Sequence, residues 1–317
     1  MKIQLVTPAP LDLNNGNKIT ALRWAAILKK LGHRVQLSQR YDSEACDLLI
    51  ALHARRSADS IQLFRKLHPE RPLIVVLTGT DLYRDIRRGH KAKQSLELAT
   101  RLVVLQRMAL AELPRRLHAK TKVIYQSAEA YRRNPAAKAT AGFKVCVIGH
   151  LREEKDPLRA ALAVRRLPSS SRIEVTHIGL ALNEQLGRKA KAEARQNPHY
   201  HWIGHLSHRK TRAILALSHL ACITSKMEGS SNVLSEALAS GVPVIATKIP
   251  GLVGTLGKNF VGYFPVGDTH QLTKLLLKAE TNADFYRSLK RQCARVANLV
   301  QPKREFAHWK RLLQELA

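Results

Sequence analysis

Short strand-like runs, several of them wholly apolar, recur along this chain, and segments of helical period separate them. The first set comprises residues 2–7, 33–37, 47–52, 73–77, 102–105 and 122–125. Helices are expected near 19–31, stopped by Gly32, near 57–67, and between the last two runs. Residues 128–142 lose apolar periodicity and contain Pro135 and Gly142, which marks a linker. The alternation then restarts with runs at 143–148, 172–178, 200–203, 221–224 and 242–246. Continuous apolar strands alternating with helices predict parallel sheets covered on both faces. The expected architecture is α/β: a Rossmann-like domain over 1–127, a linker over 128–142, and a second Rossmann-like domain over 143–302. An amphipathic helix at about 303–317, carrying Trp309, is expected to return to the first domain. Two doubly wound domains facing each other predict a ligand cleft at the carboxyl ends of their strands.

Composition narrows the classes. Hydrophobic residues make up 45% of the 317, but aromatics only 5%, so the cores should be aliphatic. Cys46, Cys146, Cys222 and Cys293 lie far apart without a Cys-x-x-Cys pair, which argues against zinc and a disulfide framework and for a reducing cytoplasm. The N-terminus reads as a strand rather than a signal peptide. No apolar run approaches the roughly 20 residues of a membrane span. The net charge of +29 divides as 26 basic against 11 acidic residues over 1–140 and 27 against 13 over 141–317. It is spread rather than gathered into a tail or strip, so nucleic acid is not the expected partner. A solvated surface, or a field that draws in anionic substrates, accounts for it.

The stretch Glu228-Gly229-Ser230-Ser231-Asn232-Val-Leu-Ser-Glu236 is the richest in chemistry. Ser230, Ser231 and Asn232 suit a helix N-cap, and Gly241 with Pro243 suits its end. Unpaired N–H groups and the positive end of the helix dipole at such a start receive a diphosphate well. Glu236 should lie about 8 Å along the axis from the cap, near a phosphate-to-ribose distance. Glu228 precedes the cap, on the side where a sugar would lie. In the first domain Gly16, Asn17 and Lys18 open the first helix, where they can address an anion. No Gly-x-Gly-x-x-Gly fingerprint is present, which disfavours dinucleotides. His53-Ala-Arg55-Arg56 and Thr78-Gly79-Thr80-Asp81 stand at strand ends. The two arginines are either solvated surface or a phosphate clamp. No Asp-x-Asp motif suggests a divalent metal, and no cofactor is expected.

The Glu-x7-Glu block followed by Ala-Leu-Ala-Ser-Gly-Val-Pro-Val resembles the donor-site signature of retaining GT-B glycosyltransferases of family 4. Val147-Ile-Gly-His150-Leu-Arg152-Glu-Glu-Lys155-Asp-Pro157 resembles the family segment whose Arg and Lys neutralise the donor diphosphate. Lys155 matches the Lys. His150 stands where Arg is usual, so either Arg152 supplies the charge or His150 is a donor whose state depends on pH. His201-Trp-Ile-Gly-His-Leu206 resembles the loop whose backbone holds the base. Leu5-Val-Thr-Pro-Ala-Pro10, Gly16-Asn17, Thr20-Ala-Leu-Arg-Trp-Ala25, Ala51-Leu-His-Ala-Arg-Arg-Ser57 and Leu77-Thr-Gly-Thr-Asp-Leu-Tyr-Arg-Asp85 are similar to the selenosugar synthases of selenoneine biosynthesis. Val123-Ile-Tyr-Gln-Ser-Ala128 and the His150 departure fit the same group. That resemblance implies a GT-B fold, a UDP-sugar donor (UDP-N-acetylglucosamine or UDP-glucose) and a selenophosphate acceptor. On it, Lys155 and Arg152 stabilise the departing diphosphate, Arg55, Arg56 and Lys18 bind the acceptor, and His53 or Asp81 assists phosphoryl loss. A family 4 transferase acting on another small-molecule or lipid acceptor is the alternative. Sugar preference, stereochemical outcome and oligomeric state do not follow from the sequence.

Overall fold

A computed structural model describes residues 1–8, 16–131 and 142–316. Most of the linker expected at 128–142 therefore lies outside the described residues. The strands are β1 (Lys2–Val6), β2 (Arg34–Ser38), β3 (Leu48–Leu52), β4 (Leu73–Leu77), β5 (Arg101–Val104), β6 (Thr121–Val123), β7 (Phe143–Ile148), β8 (Ile173–Ile178), β9 (Tyr200–Trp202), β10 (Leu220–Ile223), β11 (Val244–Thr247) and β12 (Tyr263–Phe264). The helices are α1 (Gly16–Lys30), α2 (Ala58–Leu67), α3 (Ile86–Arg88), α4 (His90–Leu98), α5 (Arg159–Val164), α6 (Glu184–Gln196), α7 (His208–Leu217), α8 (Asn232–Ala239), α9 (Pro250–Leu256), α10 (Thr269–Thr281), α11 (Ala283–Val296) and α12 (Pro302–Gln314). Each set of six strands forms one parallel sheet, ordered β2-β1-β3-β4-β5-β6 and β12-β11-β10-β7-β8-β9.

The chain divides into two compact units. One comprises Met1–Gln126, Glu228–Ser231 and Pro302–Ala317; the other comprises Ser127–Met227 and Asn232–Gln301. In the first, β3 and β4 are buried at every position because both sheet faces are covered. Their side chains alternate between faces. Leu49, Ala51, Leu73, Val75 and Leu77 join the cluster around Phe64, whereas Leu48, Ile50, Leu52, Ile74 and Val76 join the one around Trp24. α12 completes the Trp24 side. Trp309 meets Trp24 edge-on at 4.8 Å, and the buried Glu305 carboxylate accepts from Trp24 Nε1 at 2.6 Å and Arg23 Nε at 3.0 Å. In the second unit a largely aliphatic core, with Tyr200, Phe260, Phe264 and Phe285 among it, runs from Val145 to Val300 across the sheet and its helices.

Two stretches differ from the sequence reading. The helix expected between β5 and β6 is instead two 3-10 segments, Arg107–Glu112 and Arg115–Lys120. Pro114 lacks an N–H and pushes Leu113 into an extended conformation (φ −101°, ψ 143°), so no α-helix passes through. Asp81–Asp85 forms a π-helical turn that the sequence does not announce. Among the described residues no helix is long and apolar enough to cross a membrane.

Candidate active site

In the second unit the carboxyl ends of β7, β8 and β9 meet along a backbone seam. Gly149 N–H donates to Ile178 at 2.9 Å, and Gly179 N–H donates to the Gly204 carbonyl at 2.8 Å. Trp202 Nε1 donates to the Gly179 carbonyl at 2.9 Å. The approach is so close that a Cβ on Gly179 would lie 2.0 Å from the Gly149 oxygen. His177, fully buried beneath the seam, holds it with both ring nitrogens. Nε2 donates to the Gly149 carbonyl at 3.0 Å, which leaves Nδ1 to accept from the Tyr200 hydroxyl at 2.8 Å. Burial pushes this imidazole down to about 4, against the opposing pull of the Gly149 bond, so it is neutral near pH 7. Leu206 is half-buried against the core of this unit, two residues beyond Gly204 (φ +70°).

This seam sets the residues that follow β7. His150 Nδ1 accepts from the Leu180 N–H at 3.0 Å. A nitrogen that accepts a hydrogen bond carries no proton, so Nε2 carries the hydrogen and His150 is a directed N–H donor rather than a stand-in for a guanidinium. The short turn Glu153–Lys155 is anchored to the end of β10. Thr224 Oγ1 donates to the Lys155 carbonyl at 2.8 Å, and Lys226 N–H donates to the Glu154 carbonyl at 2.8 Å. Asp156 takes a left-handed conformation (φ +44°) and pairs with Arg159 Nε at 2.8 Å, closing the turn. The Lys155 methylenes pass within 3.7 Å of the Cβ position of Gly149, and Arg152 is exposed.

α8 starts at Asn232 and is stopped by Gly241 at φ +69°. Glu236 lies about 6 Å along the axis from that start, because the helix begins later than Ser230. The Glu236 carboxylate is almost buried. Its Oε1 is 2.7 Å from Nε2 of the half-exposed His208, the first residue of α7. Cys146 and Cys222 are pushed up to about 12 by burial and stay protonated thiols.

In the first unit the turn Glu228–Ser231 lies against the end of β4. A Cβ on Gly229 would be 2.1 Å from the Thr78 carbonyl oxygen, and one on Gly79 would be 3.0 Å from the Gly229 nitrogen. Glu228 and Ser231 are buried there, and Ser230 is half-buried. Asp81 builds the Thr78–Thr80 turn. Oδ1 accepts from the N–H groups of Thr78 at 2.9 Å and Gly79 at 2.8 Å, and Oδ2 accepts from Ala54 at 3.0 Å. Asp81 is fully buried, so an assisting role for it in phosphoryl loss does not fit; its oxygens serve three backbone donors. His53 is held in a left-handed conformation at φ +73°. Its Nδ1 accepts from the Arg56 N–H at 3.3 Å, so Nε2–H faces Thr80 Oγ1 at 2.9 Å. Arg55 and Arg56 follow on the surface, with Arg55 Nη1 3.6 Å from the buried Asp85. Gly16, Asn17 and Lys18 form the first turn of α1, half-buried to exposed. Sequence reading missed His208 and His177, neither of which stands in a recognisable motif, and gave no role to Asp85, which closes the Leu77–Asp85 segment.

The family described as "Glycosyl transferases group 1" matches residues 129–296. Among solved structures, sucrose-phosphate synthase of Thermosynechococcus elongatus is similar at 16% identity and TM-score 0.78, covering 99% of this chain and 98% of that one. HepE of Anabaena in complex with UDP and glucose is similar at 15% identity and TM-score 0.78 over the whole of both chains. A glycosyltransferase of Rickettsia africae is similar at 14% identity and TM-score 0.78, covering 99% and 98%. At such identities these likenesses speak for the fold, which is the two-sheet GT-B arrangement. With more than half of its length matched by that one family, the chain belongs to the group 1 glycosyltransferases.

Proposed function

We propose that this glycosyltransferase is a selenosugar synthase, which moves a hexose from a UDP-sugar, UDP-glucose or UDP-N-acetylglucosamine, onto selenophosphate. Selenium attacks the anomeric carbon, the bond from that carbon to the diphosphate oxygen breaks, and UDP departs with the electron pair. Water then attacks phosphorus and the selenium–phosphorus bond breaks, leaving a 1-selenosugar and inorganic phosphate. Selenium is a soft nucleophile on an already anionic group, so the site's main task is to receive charge rather than remove a proton.

For the diphosphate, donor roles fall on His150 Nε2–H, Arg152, Lys155, Ser230, Ser231 and the α8 start at Asn232. Glu236 serves ribose hydroxyls, Glu228 and Gly229 the sugar, and the loop at Leu206 the base. Structures of HepE with UDP-glucose and of an E. coli trehalose-6-phosphate protein with UDP-2-fluoro glucose support a uridine donor. Lys155, Arg152 and the helix start supply countercharge for the leaving group, so the proposed reaction needs no divalent metal and EDTA should leave its rate unchanged. Acceptor roles fall on Gly16, Asn17, Lys18, Arg55, Arg56 and the Thr78–Thr80 turn, where His53 orients the Thr80 hydroxyl. The observation that carries the acceptor is the pair of exposed arginines behind a strained, buried histidine, inside the segments that resemble selenosugar synthases.

The test is mass spectrometry of products from a UDP-sugar panel offered selenophosphate, thiophosphate or phosphate. A selenium-bearing hexose with release of UDP is expected. Transfer only to acceptors lacking the chalcogen, or hydrolysis of the donor alone, would overturn the acceptor assignment and leave the donor assignment standing.

A further inference from the structure

The Glu236 carboxylate, an expected donor-site group, is met by a side chain that no motif supplies. His208 Nε2 stands 2.7 Å from Glu236 Oε1, although the two residues are 28 apart in the sequence. The carboxylate is 9% exposed and the imidazole 51%. α7 is capped by Ser207, whose Oγ accepts from the Lys210 N–H at 3.4 Å, so His208 sits on a fixed helix start rather than a loose loop. That start follows the Gly204–Leu206 loop directly. The loop is itself tied by Gly204 to Gly179 and so to the seam under His150.

We propose that His208 is a positioning residue for the ribose. Its N–H holds one carboxylate oxygen of Glu236 and fixes the plane of the group, so that the carboxylate receives the two neighbouring hydroxyls of a ribonucleotide. A carboxylate offers about four lone-pair sites. The imidazole uses one and leaves the acceptor capacity that a vicinal diol requires. A short planar donor also suits this place better than a flexible lysine, because it restrains the rotamer of an almost buried group whose freedom would otherwise be lost on binding. One segment of about five residues thus carries both the base loop and the residue that sets the ribose contact. Ribose selectivity then depends on α7 as well as on α8. This inference rests on the reading of Glu236 as the ribose carboxylate of a uridine donor.

The experiment is calorimetric titration of the full chain with UDP and with 2′-deoxy-UDP, for wild type, Glu236→Ala, His208→Ala and His208→Gln. Wild type should prefer UDP by at least about tenfold, the size of a hydrogen bond to a charged group. Glu236→Ala should abolish the preference. His208→Ala should lower UDP affinity about tenfold and leave 2′-deoxy-UDP affinity within about twofold, while His208→Gln, which keeps an N–H donor, should recover most of the preference. An unchanged preference in His208→Ala beside a lost one in Glu236→Ala would overturn the role of His208 alone. Tighter UDP binding in His208→Ala would also overturn it, because the imidazole would then be competing with ribose. An unchanged preference in Glu236→Ala, or no UDP binding by wild type, would overturn the donor reading together with the inference.

Discussion

Gly179 and Gly149 face each other across the β7–β8 seam, and the same substitution should be costly at the first and nearly neutral at the second. A Cβ on Gly179 would lie 2.0 Å from the Gly149 oxygen and 2.9 Å from the His150 nitrogen. Non-bonded carbon contacts are comfortable near 3.5 Å, so Gly179→Ala must drive the strands apart by about 1–1.5 Å. Backbone is the obstacle, so no side chain can swing away. Five hydrogen bonds depend on that spacing: Gly149 to Ile178, Gly179 to Gly204, Leu180 to His150, His177 to Gly149 and Trp202 to Gly179. Overpacking of this kind costs about 1–3 kcal/mol, and each strained hydrogen bond adds on the order of 0.5 kcal/mol. A total of about 4 kcal/mol lowers Tm by about 8–16 °C in a unit of this size. His150 moves with the seam, and a displacement of about 1 Å can cost about a hundredfold in kcat/KM. The nearest atoms to a Cβ on Gly149 are those of the Lys155 side chain, at 3.7 Å, an ordinary contact. Gly149→Ala should therefore change stability by less than about 0.5 kcal/mol. Scanning calorimetry and donor kinetics on the two variants decide the matter. Equal Tm values for Gly179→Ala and Gly149→Ala would refute the seam as described.

Three further outcomes follow from the same contacts. If Lys155 has the proposed donor role, Lys155→Ala should lower kcat with donor KM within about threefold, because a cation facing a departing diphosphate acts chiefly in the transition state; steady-state kinetics reads the split. The His177 imidazole falls from 6.5 in the unfolded chain to about 4 when folded, so the unfolded state binds the extra proton between those values. Its contribution, on the order of 3 kcal/mol, is present above pH 6.5 and is lost as pH falls towards 4. The wild-type loss of Tm over that interval should shrink in His177→Gln. Glu305→Ala removes the buried carboxylate to which Trp24 and Arg23 both donate, and should destabilise the first unit by about 3 kcal/mol in urea unfolding.

What the sequence discloses is what lies contiguous within it. The runs at 48–52 and 73–77 are readable as buried parallel strands because every residue is apolar, and the structure buries every one. The Glu228–Glu236 stretch is readable because its polar turn, helix and glycine stop follow one another directly. Between β5 and β6 the apolar residues mimic a helix, and only the missing N–H of Pro114 decides for two 3-10 segments. The Asp81–Asp85 turn is hidden because its organiser is a side chain bonding backbone groups of two loops, Ala54 as well as Thr78 and Gly79. β12 is only two residues long, too short for any period to register. His208 and Gly179 meet partners 28 and 30 residues away, so no local pattern marks them. The tautomer of His150 is likewise set from outside, by the Leu180 N–H.

The most direct measurement is a crystal structure of the protein with UDP bound. The diphosphate is predicted within hydrogen-bonding distance of the Asn232 N–H at the start of α8 and of Lys155 Nζ, with the ribose hydroxyls on Glu236. A nucleotide seated elsewhere on the second unit, with Lys155 and Glu236 untouched, would contradict the account.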